Sequence, residues 1–358
     1  MKAPSRRLPG ARLAVGTATL AVGLAVVCVG ALCIGQYPYP PVRVAQALWH
    51  GVVGGAPADL PPEEWPPLRE TVLAIRLPRV ATGALVGFAL ASAGSALQGV
   101  LRNPLADPYI IGVSSGAGLG AALAVVIGID AALGGSAVSA CAFLGALVAL
   151  GLVLGLARRH GRLRSESFLV AGVAVGGFCW SGITLLLALA GMELDRVLHW
   201  LLGSLSLRER YLPPLAIAVA GGWIVLLRHA RALDLLALGD EAAHQLGVAV
   251  ERTRLAVILA AALVTAASVA VSGMIGFVGL MVPQMVRRVV GPDQRVLLPL
   301  SALAGASFLV AADAAARAYG LLLLRVFGHS VSDLPVGVVT ALLGGPVMFL
   351  LLRREVRG

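Results

Sequence analysis

The chain has 358 residues, of which 58% are hydrophobic and 13% charged, and its formal net charge at pH 7 is +10. A typical soluble domain is about 45–50% apolar and about 25% charged, so this composition excludes an ordinary water-soluble globular protein. Apolar stretches of membrane-spanning length, roughly 20 residues, recur along the whole sequence. We therefore predict an all-α integral membrane protein with a single transmembrane domain over residues 1–358.

Ten apolar segments predict about ten membrane-spanning helices. They lie near residues 13–35, 73–101, 109–129, 135–157, 167–191, 211–227, 254–273, 275–290, 296–318 and 334–352. The first has an apolar core of about 23 residues, longer than the core of a secretory signal, so we expect an uncleaved helix. The eighth is short, and only a break at Gly273–Gly276 separates it from the seventh.

The basic residues indicate the orientation of these spans. If the N-terminus is cytoplasmic, most of the 28 lysines and arginines fall in internal segments. This bias fits the positive-inside rule when both termini are cytoplasmic. Membrane orientation thus accounts for the positive charge, and we predict no nucleic-acid partner.

Several kinds of site are missing from the sequence. Lys2 is the only lysine, so the chain lacks the lysine of a phosphate-binding P-loop. The four cysteines fall within predicted spans without a CxxC or a His/Cys cluster, so we predict no metal site. We also predict no catalytic residues and no cofactor bound by this chain. Asp313 is the clearest ionisable group in a span, and its spacing from Arg317 favours a local ion pair over ion coupling.

Glycines four residues apart predict close packing between spans. These are Gly83 and Gly87; Gly112, Gly116 and Gly120; Gly151 and Gly155; Gly172 and Gly176. Packing alone explains most of them. A tightly packed bundle without coupling charges or a nucleotide site would take the energy for uphill transport from a partner.

A short polar segment, LALGDEAAHQLGV at 237–249, interrupts the apolar second half of the chain on the predicted cytoplasmic side. Asp240 is suited to the N-cap of a short helix, Glu241 to the positive end of its dipole, and Gly247 to a left-handed C-terminal residue. The turn would present three side chains as an apolar knob: Ala242, Ala243 and Leu246. Such a knob can dock on a cytoplasmic partner; the alternative is an amphipathic turn that lies on the bilayer.

Several stretches, in this order, resemble the permease subunits of ATP-binding-cassette (ABC) importers for iron–siderophore, haem and vitamin B12. They are RLPRVATGALVGFALASAGSALQGVLRNPLADPYIIGVSSGAGLGA (76–121), WLLGSLS (200–206), LALGDEAAHQLGV (237–249), SGMIGFVGLMVPQMVRRVVGPDQRVLLPLSALAGASFLVAADAAAR (272–317) and LPVGVVTALLGGPVMFLLLRR (334–354). The resemblance covers residues 72–352. It implies a type II ABC importer permease fold with ten spans, multi-pass in the bacterial cytoplasmic (inner) membrane.

The same resemblance implies a set of partners and a cargo. The permease would pair with a second copy or a paralogue in the lipid bilayer. Two cytoplasmic ABC ATPase subunits would bind ATP and Mg, and an extracytoplasmic binding protein would deliver the substrate. The substrate would be a metal chelate, with ferric siderophore favoured over haem and cobalamin.

The resemblance also assigns roles to individual residues. An ATPase-coupling helix matches Leu238, Gly239, Asp240, Glu241, Ala242, Ala243, Leu246 and Gly247. An inner gate region matches Asn103, Pro104, Ser114 and Ser115, and binding-protein docking matches Arg76, Arg79 and Arg317. In the family, the span at 334–352 borders the central pathway together with the fifth span.

Local chemistry supports the gate and docking assignments in part. In RNPLADP (102–108), the prolines stop a helix, and Asn103 and Asp107 favour turns, which predicts a tight inner hairpin. Some relatives have asparagine at the position of Ser115. The docking arginines are expected at the outer mouth, where arginine can grip a carboxylate bidentately. The alternatives are interfacial anchors or, for Arg317, the local pair with Asp313.

Two further expectations complete the sequence-based interpretation. The outer segment 36–71 is longer than the resemblance implies, and its GGAPADLPPEEWPPLRE run predicts a stiff, extended surface segment, either a docking accessory or a neutral insertion. The alternative function is an ion-coupled secondary transporter, which would require buried charges and broken helices near the midplane.

Overall fold

A computed structural model describes residues 9–35, 37–57, 59–129, 136–159, 162–205, 211–327 and 334–355. Its helices are α1 (Pro9–Cys33), α2 (Pro41–Val53), α3 (Trp65–Leu101), α4 (Val113–Val126), α5 (Ala137–Ala157), α6 (Ser165–Leu189), α7 (Leu194–Leu201), α8 (Leu212–Leu236), α9 (Asp240–Gln245), α10 (Val250–Ser272), α11 (Val278–Val290), α12 (Gln294–Phe327) and α13 (Val336–Glu355). A short antiparallel pair, β1 (Arg158–Arg159) and β2 (Arg162–Leu163), lies between α5 and α6.

Every predicted span overlaps one of these helices, which confirms the helical fold. Within the described residues, seven helices are long and apolar enough to cross a membrane, and α4 and the apolar part of α13 are shorter. The count of ten spans therefore stays a prediction. Three helices extend well beyond their predicted spans: α3 begins at Trp65, α8 ends at Leu236 and α12 ends at Phe327. Hydropathy marks only the stretch suited to lipid, whereas a helix continues until a cap or turn ends it.

The centre of the bundle is formed by α3, α10 and α12. In their most apolar stretches 78%, 67% and 67% of the residues are buried, against 0% in α1. α3 packs along α12 and also against α8, α10 and α11, while α4, α5 and α6 pack on one another. Peripheral helices such as α1 thus leave long apolar faces for the surrounding lipid.

Glycine allows the closest helix contacts. A Cβ built at Gly87 of α3 would lie 2.3 Å from the carbonyl oxygen of Gly305 in α12. Other predicted packing glycines make similar approaches to neighbouring backbone: Gly116, Gly120 and Gly172. By contrast, no described atom lies within 4 Å of a Cβ at Gly151 or Gly155. The packing prediction is therefore wrong for that pair within this chain.

The predicted break between the seventh and eighth spans is confirmed. α10 ends at Ser272 and α11 begins at Val278. Gly273 has a φ of 69°, and a Cβ there would lie 2.2 Å from the carbonyl oxygen of Trp200. Because a left-handed backbone and a close approach coincide, only glycine fits this position without strain. The end of α7 therefore lies in close contact with the break between α10 and α11.

The described part of the outer segment at 36–71 is partly helical, which differs from the extended segment that its prolines predict. Pro41 occupies the first turn of α2, and Pro66 and Pro67 occupy the first turn of α3. Proline is tolerated there because the first helical N–H groups have no intrahelical acceptor. These three prolines therefore begin helices, whereas Pro57, Pro61 and Pro62 lie in the non-helical connection between α2 and α3.

Candidate coupling surface and gate hairpin

The polar segment at 237–249 forms the short helix α9, with a glycine at each end. Gly239 precedes it with a φ of 113°, and Gly247 follows it with a φ of 85°. The amide of Gly247 donates to His244 O at 2.9 Å, and that of Val248 donates to Ala243 O at 3.0 Å. The expected left-handed end at Gly247 is confirmed, and it satisfies carbonyl groups that the helix itself leaves free.

Asp240 is the first residue of α9 and not its N-cap, which corrects the predicted role. The hydrogen bonds described for its side chain all come from arginines. Oδ1 lies 2.8 Å from Arg102 Nη2, and both carboxylate oxygens lie 3.0 Å from Arg254 Nη2. The N-cap position belongs to Gly239, so the carboxylate is available to bind cations on two other elements. Asp240 thus ties α9 to the end of α3 and to α10.

Arg254 extends this connection to the β1–β2 pair. The side chain is 3% exposed, and its Nη1 donates to Leu163 O at 2.8 Å. The Leu163 amide donates to Glu251 Oε2 at 3.1 Å. A buried guanidinium needs such partners because an unpaired buried charge is costly. α9 therefore rests on a base built from α3, α10 and β2, and sequence reasoning identified neither Arg102 nor Arg254 as part of it.

The exposed apolar side chains at α9 are not the three that were predicted. Ala243 is fully buried and anchors the helix, whereas Leu238 and Leu246 are 66% and 59% exposed. Ala242 is half-buried. A surface cleft of about 470 Å³ lies beside the helix, lined by Asp240, Glu241, His244, Ala249, Val250, Glu251 and Arg252. The surface available to a partner is therefore two leucines next to a polar cleft.

Residues 102–112, between the second and third predicted spans, form the predicted turns and are called the hairpin below; that they lie on the inner side stays a prediction. Asn103 Oδ1 accepts from the Leu105 amide at 2.9 Å, and Asp107 Oδ1 accepts from the Tyr109 amide at 2.8 Å. Both are the local turn bonds that Asn and Asp were expected to form. The turn chemistry of this segment could thus be predicted from the sequence.

Long-range amide contacts hold the hairpin in place. Gln284 Nε2 of α11 donates to Pro104 O at 2.9 Å and to Gln98 Oε1 at 2.7 Å. Gln98 Nε2 donates in turn to Leu280 O at 3.1 Å. These bonds attach the hairpin to α11. The pairing of the two buried glutamines could not be predicted from the sequence.

The two serines of the gate region lie in the first turn of α4. Ser115 Oγ donates to Gly112 O at 3.0 Å, and Ser114, which is buried, donates to Tyr109 O at 3.5 Å. The hydroxyl of Tyr109 accepts from the amide of Ile275 in the α10–α11 break. These bonds connect the hairpin to the break, while a gating role for the serines stays a prediction.

Asp107 provides a pH-dependent test of the hairpin. Burial raises the pKa of this carboxyl from 3.8 to about 6, against the opposing effect of its bond from the Tyr109 amide. A raised folded-state pKa means that stability is lost as pH rises from about 4 to about 6. Asp107→Asn keeps an oxygen acceptor and cannot ionise, so we expect it to be more stable than the natural protein at pH 7, by up to about 3 kcal/mol.

The measurement is thermal unfolding of the purified chain and its variant in detergent between pH 4 and pH 8. The difference in stability should shrink toward pH 4, where the carboxyl is protonated in the folded state and about half protonated in the unfolded state. A difference that is constant across this range would show that Asp107 does not carry a buried charge.

The three arginines assigned to docking lie in a cluster near one end of α3 and α12. Arg79 Nη2 lies 2.9 Å from Asp313 Oδ1, and Arg317 Nε lies 3.1 Å from Asp313 Oδ2. Arg76 Nη1 donates to Leu32 O of α1 at 2.7 Å. The local pair between Arg317 and Asp313 is therefore confirmed, and Arg79 shares the same carboxylate.

Burial of this cluster corrects the expectation of exposed arginines. Arg76 and Arg317 are only 5% and 6% exposed, so neither projects freely from the mouth of the bundle. Arg317 also donates to Ile34 O, which lies just after α1. Carbonyl groups from this end of α1 thus solvate the guanidinium groups in place of water. Docking stays a prediction, and Arg79, whose side chain is 13% exposed, is the most accessible of the three.

Within the ranges that the structure describes, no three His, Cys, Asp or Glu side chains lie close enough together to hold a metal ion. Three assemblies of polar groups contain the residues assigned from the sequence: the base of α9, the hairpin with its glutamines, and the arginine cluster.

Comparison with known proteins places this arrangement in a family. Residues 23–354 match the FecCD transport family. The chain is 45% identical over 285 residues to the cobalamin import system permease protein BtuC of Halobacterium salinarum, covering 79% of this chain and 73% of that relative. It is 39% identical over 288 residues to the hemin transport system permease protein HmuU of Yersinia pestis, covering 79% and 83%. It is also 39% identical to an ABC transporter permease protein of Bacillus subtilis, YvrB, over 94% and 92%.

The fold is similar to that of a solved chain described as an inward-facing ABC transporter of the metal-chelate type. The TM-score is 0.77 at 29% identity, over 94% of this chain and 98% of that chain. The resemblance inferred from the sequence is therefore confirmed over nearly the whole length. This chain belongs to the FecCD transport family, the permeases of ABC importers for iron chelates, haem and vitamin B12.

Proposed function

We propose that this protein is the membrane subunit of an ATP-driven importer that carries a metal chelate into the cytoplasm. Two ABC ATPase subunits would supply the energy, an extracytoplasmic binding protein would deliver the chelate, and a second permease would complete the pathway. Membership of the FecCD family supports this proposal. The site of action would be the bacterial cytoplasmic membrane.

The structure of α9 supports the proposal that this helix couples the permease to the ATPase subunits. Its exposed Leu238 and Leu246 stand on a base held by Asp240, Arg102 and Arg254. A force applied to the two leucines would reach α3 through Arg102 and α10 through Arg254. Because α3 leads into the gate hairpin, movement of α9 would be transmitted to the predicted inner gate.

The substrate preference follows the named relatives. The sequence resemblance favours ferric siderophore, whereas the relatives at 45% and 39% identity carry names for cobalamin and hemin import. We therefore place cobalamin first and haem second. An apolar cleft of about 400 Å³ lies between α7 and α13, lined by Leu201, Leu202, Met274, Gly337, Val338, Ala341 and Leu342. We assign it to the wall of the pathway, which the family places at this last span.

The ion-coupled alternative has less support. Its best candidate group, Asp313, is 2% exposed and lies within 3.1 Å of arginine nitrogens on both sides. A carboxylate held by two guanidinium groups is poorly suited to exchange protons or cations during a transport cycle.

The proposed function can be tested with the permease co-expressed with its cognate ATPase and binding protein and reconstituted into vesicles. Uptake of cyanocobalamin, haemin and a ferric hydroxamate siderophore would be measured with and without ATP. We expect ATP-dependent uptake, highest for cyanocobalamin. Uptake that persists without ATP and follows an imposed proton gradient would establish the secondary-transporter alternative.

A glycine substitution tests α9 as the coupling element. Gly247→Val places a β-branched residue at a φ of 85°, at a cost of roughly 1–2 kcal/mol, so the end of α9 should shift. We expect membrane insertion to be retained and ATP-driven uptake to be lost. Gly128→Val is the matched control, because Gly128 has a φ of 76° and lies outside this surface. Equal uptake by both variants would refute the assignment.

A further inference from the structure

α2 has three distinct faces. Val44, Ala47 and Leu48 pack against the protein in a cluster that includes Ala31 and Leu32 of α1. A second face is polar and carries Arg43, Gln46 and His50. The third face is apolar and consists of Val42, Ala45, Trp49, Val52 and Val53. These groups follow from a rotation of about 100° per residue along the helix.

The third face is not covered by the parts of the chain that the structure describes. Trp49 is 66% exposed, Val52 89% and Val53 64%. A contiguous apolar patch centred on a tryptophan is unusual on a surface that faces water, and it indicates contact with a protein or a membrane.

The position of α2 relative to α1 favours the membrane. The amide of Tyr39 donates to the carbonyl oxygen of Cys33, the last residue of α1, at 3.2 Å. Val44 and Ala47 pack with Ala31 and Leu32, which lie in the last turn of α1. α2 therefore lies at the level where α1 ends.

That level is the boundary of the bilayer. α1 has 25 residues and spans about 37 Å, compared with about 30 Å for the hydrocarbon core. Its most apolar stretch has 0% of its residues buried within the chain, so α1 faces lipid. α2, with 13 residues, is about 20 Å long and too short to cross the bilayer itself.

The polar face of α2 is covered by the chain that follows it. Arg43 Nη1 lies 3.2 Å from Asp59 Oδ2, and Gln46 Nε2 lies 3.0 Å from Asp59 Oδ1. The helix is thus bordered by protein on one face and by a polar segment on another, which leaves the apolar face for a third environment. Tryptophan is enriched where such a helix meets the interface between headgroups and acyl chains.

We propose that α2 is an interfacial membrane helix whose third face lies in the bilayer at the boundary between headgroups and acyl chains. The partner of this surface is the lipid itself. The helix anchors the end of α1, and through it the segment that supplies carbonyl acceptors to Arg76 and Arg317. This role does not depend on which substrate is transported.

Spin-label accessibility tests the proposal. The full chain, with Cys28, Cys33, Cys141 and Cys179 changed to alanine, is reconstituted into phosphatidylcholine–phosphatidylglycerol vesicles without partners. Nitroxide labels are placed through Ala45→Cys, Trp49→Cys, Val52→Cys, Gln46→Cys and His50→Cys. Collisions are measured with oxygen, which concentrates in lipid, and with a water-soluble nickel chelate. Val26→Cys in α1 and Glu63→Cys provide the lipid and water references.

We expect the ratio of oxygen to nickel collisions to be several-fold higher at 45, 49 and 52 than at 46 and 50, and to lie between the ratios at 26 and 63. A nickel collision rate at 45 and 49 as high as that at 63 would place the face in water and overturn the proposal. Low rates with both reagents would also overturn it, because protein, such as a second copy of the chain, would then cover the face. Loss of transport by these labelled chains would bear on the proposed function alone.

Discussion

Gly94→Ala is expected to destabilise the folded protein severely. A Cβ at this position of α3 would lie 1.8 Å from the carbonyl oxygen of Gly279 and 2.5 Å from its carbonyl carbon. Both are backbone atoms at the start of α11, so no side-chain rotation can relieve the overlap and the two helices must separate. Overpacking a well-packed site typically costs about 1–3 kcal/mol, and we expect about 3 kcal/mol or more here.

The measurement is thermal unfolding of the purified chain in detergent, where we expect the midpoint to fall by several degrees. Gly151→Ala in α5 is the matched control, because no described atom lies within 4 Å of the added Cβ. It should change stability by about 1 kcal/mol or less, in the stabilising direction, because alanine favours a helix. Similar losses for the two variants would show that the contact between Gly94 and Gly279 is not as close as described.

Asp240→Ala is expected to lower transport strongly without loss of the fold. It removes the carboxylate that joins Arg102 to Arg254 at 2.8 and 3.0 Å. Arg254, 3% exposed, would keep its bonds to Leu163 and Glu251 but lose its partner on α9. Loss of one partner of a buried group typically costs about 1–3 kcal/mol. α9 would remain folded but loosely attached, so we expect uptake to fall by about tenfold or more, as a coupling loss of about 1.4 kcal/mol would give.

ATP hydrolysis and uptake would be measured together in vesicles, with the fraction of folded permease determined on the same preparation. We expect hydrolysis to continue without a matching uptake. Glu193→Ala is the control, because it removes an exposed pair of the same 2.8 Å length with Arg196, and such pairs contribute only about 0.2–1 kcal/mol. A variant Asp240→Ala with normal uptake per ATP hydrolysed would show that the ion pairs do not position α9.

Much of this protein could be predicted from neighbouring residues. Lipid allows only segments that satisfy their own backbone hydrogen bonds, so apolar runs predict helices directly. The break after Ser272, the turn bonds of Asn103 and Asp107, and the left-handed Gly247 are likewise decided within a few residues. The motifs that indicated the family are also short stretches of neighbouring residues, so they could be recognised in the sequence.

The partners of the charged groups could not be predicted in this way. Arg102 and Asp240 are 138 residues apart in the chain, and Arg79 and Asp313 are 234 apart. The family resemblance implied an exposed docking role for Arg76, and neither the resemblance nor the positive-inside rule, which depends only on the side of the membrane, could show that this side chain is buried.

The helices, their breaks, the turn chemistry and the family could be read from the sequence, because each depends on interactions between residues close in the chain or on the demands of lipid. Three features depend on the packed structure: Asp240 is an anchor and not a cap, Ala243 is buried while Leu246 is exposed, and Pro66 and Pro67 begin a helix in the outer segment. These outcomes depend on which distant backbone and side-chain groups meet when the helices pack. A residue of given type can satisfy its charge or bury its surface in several ways, and packing selects one of them.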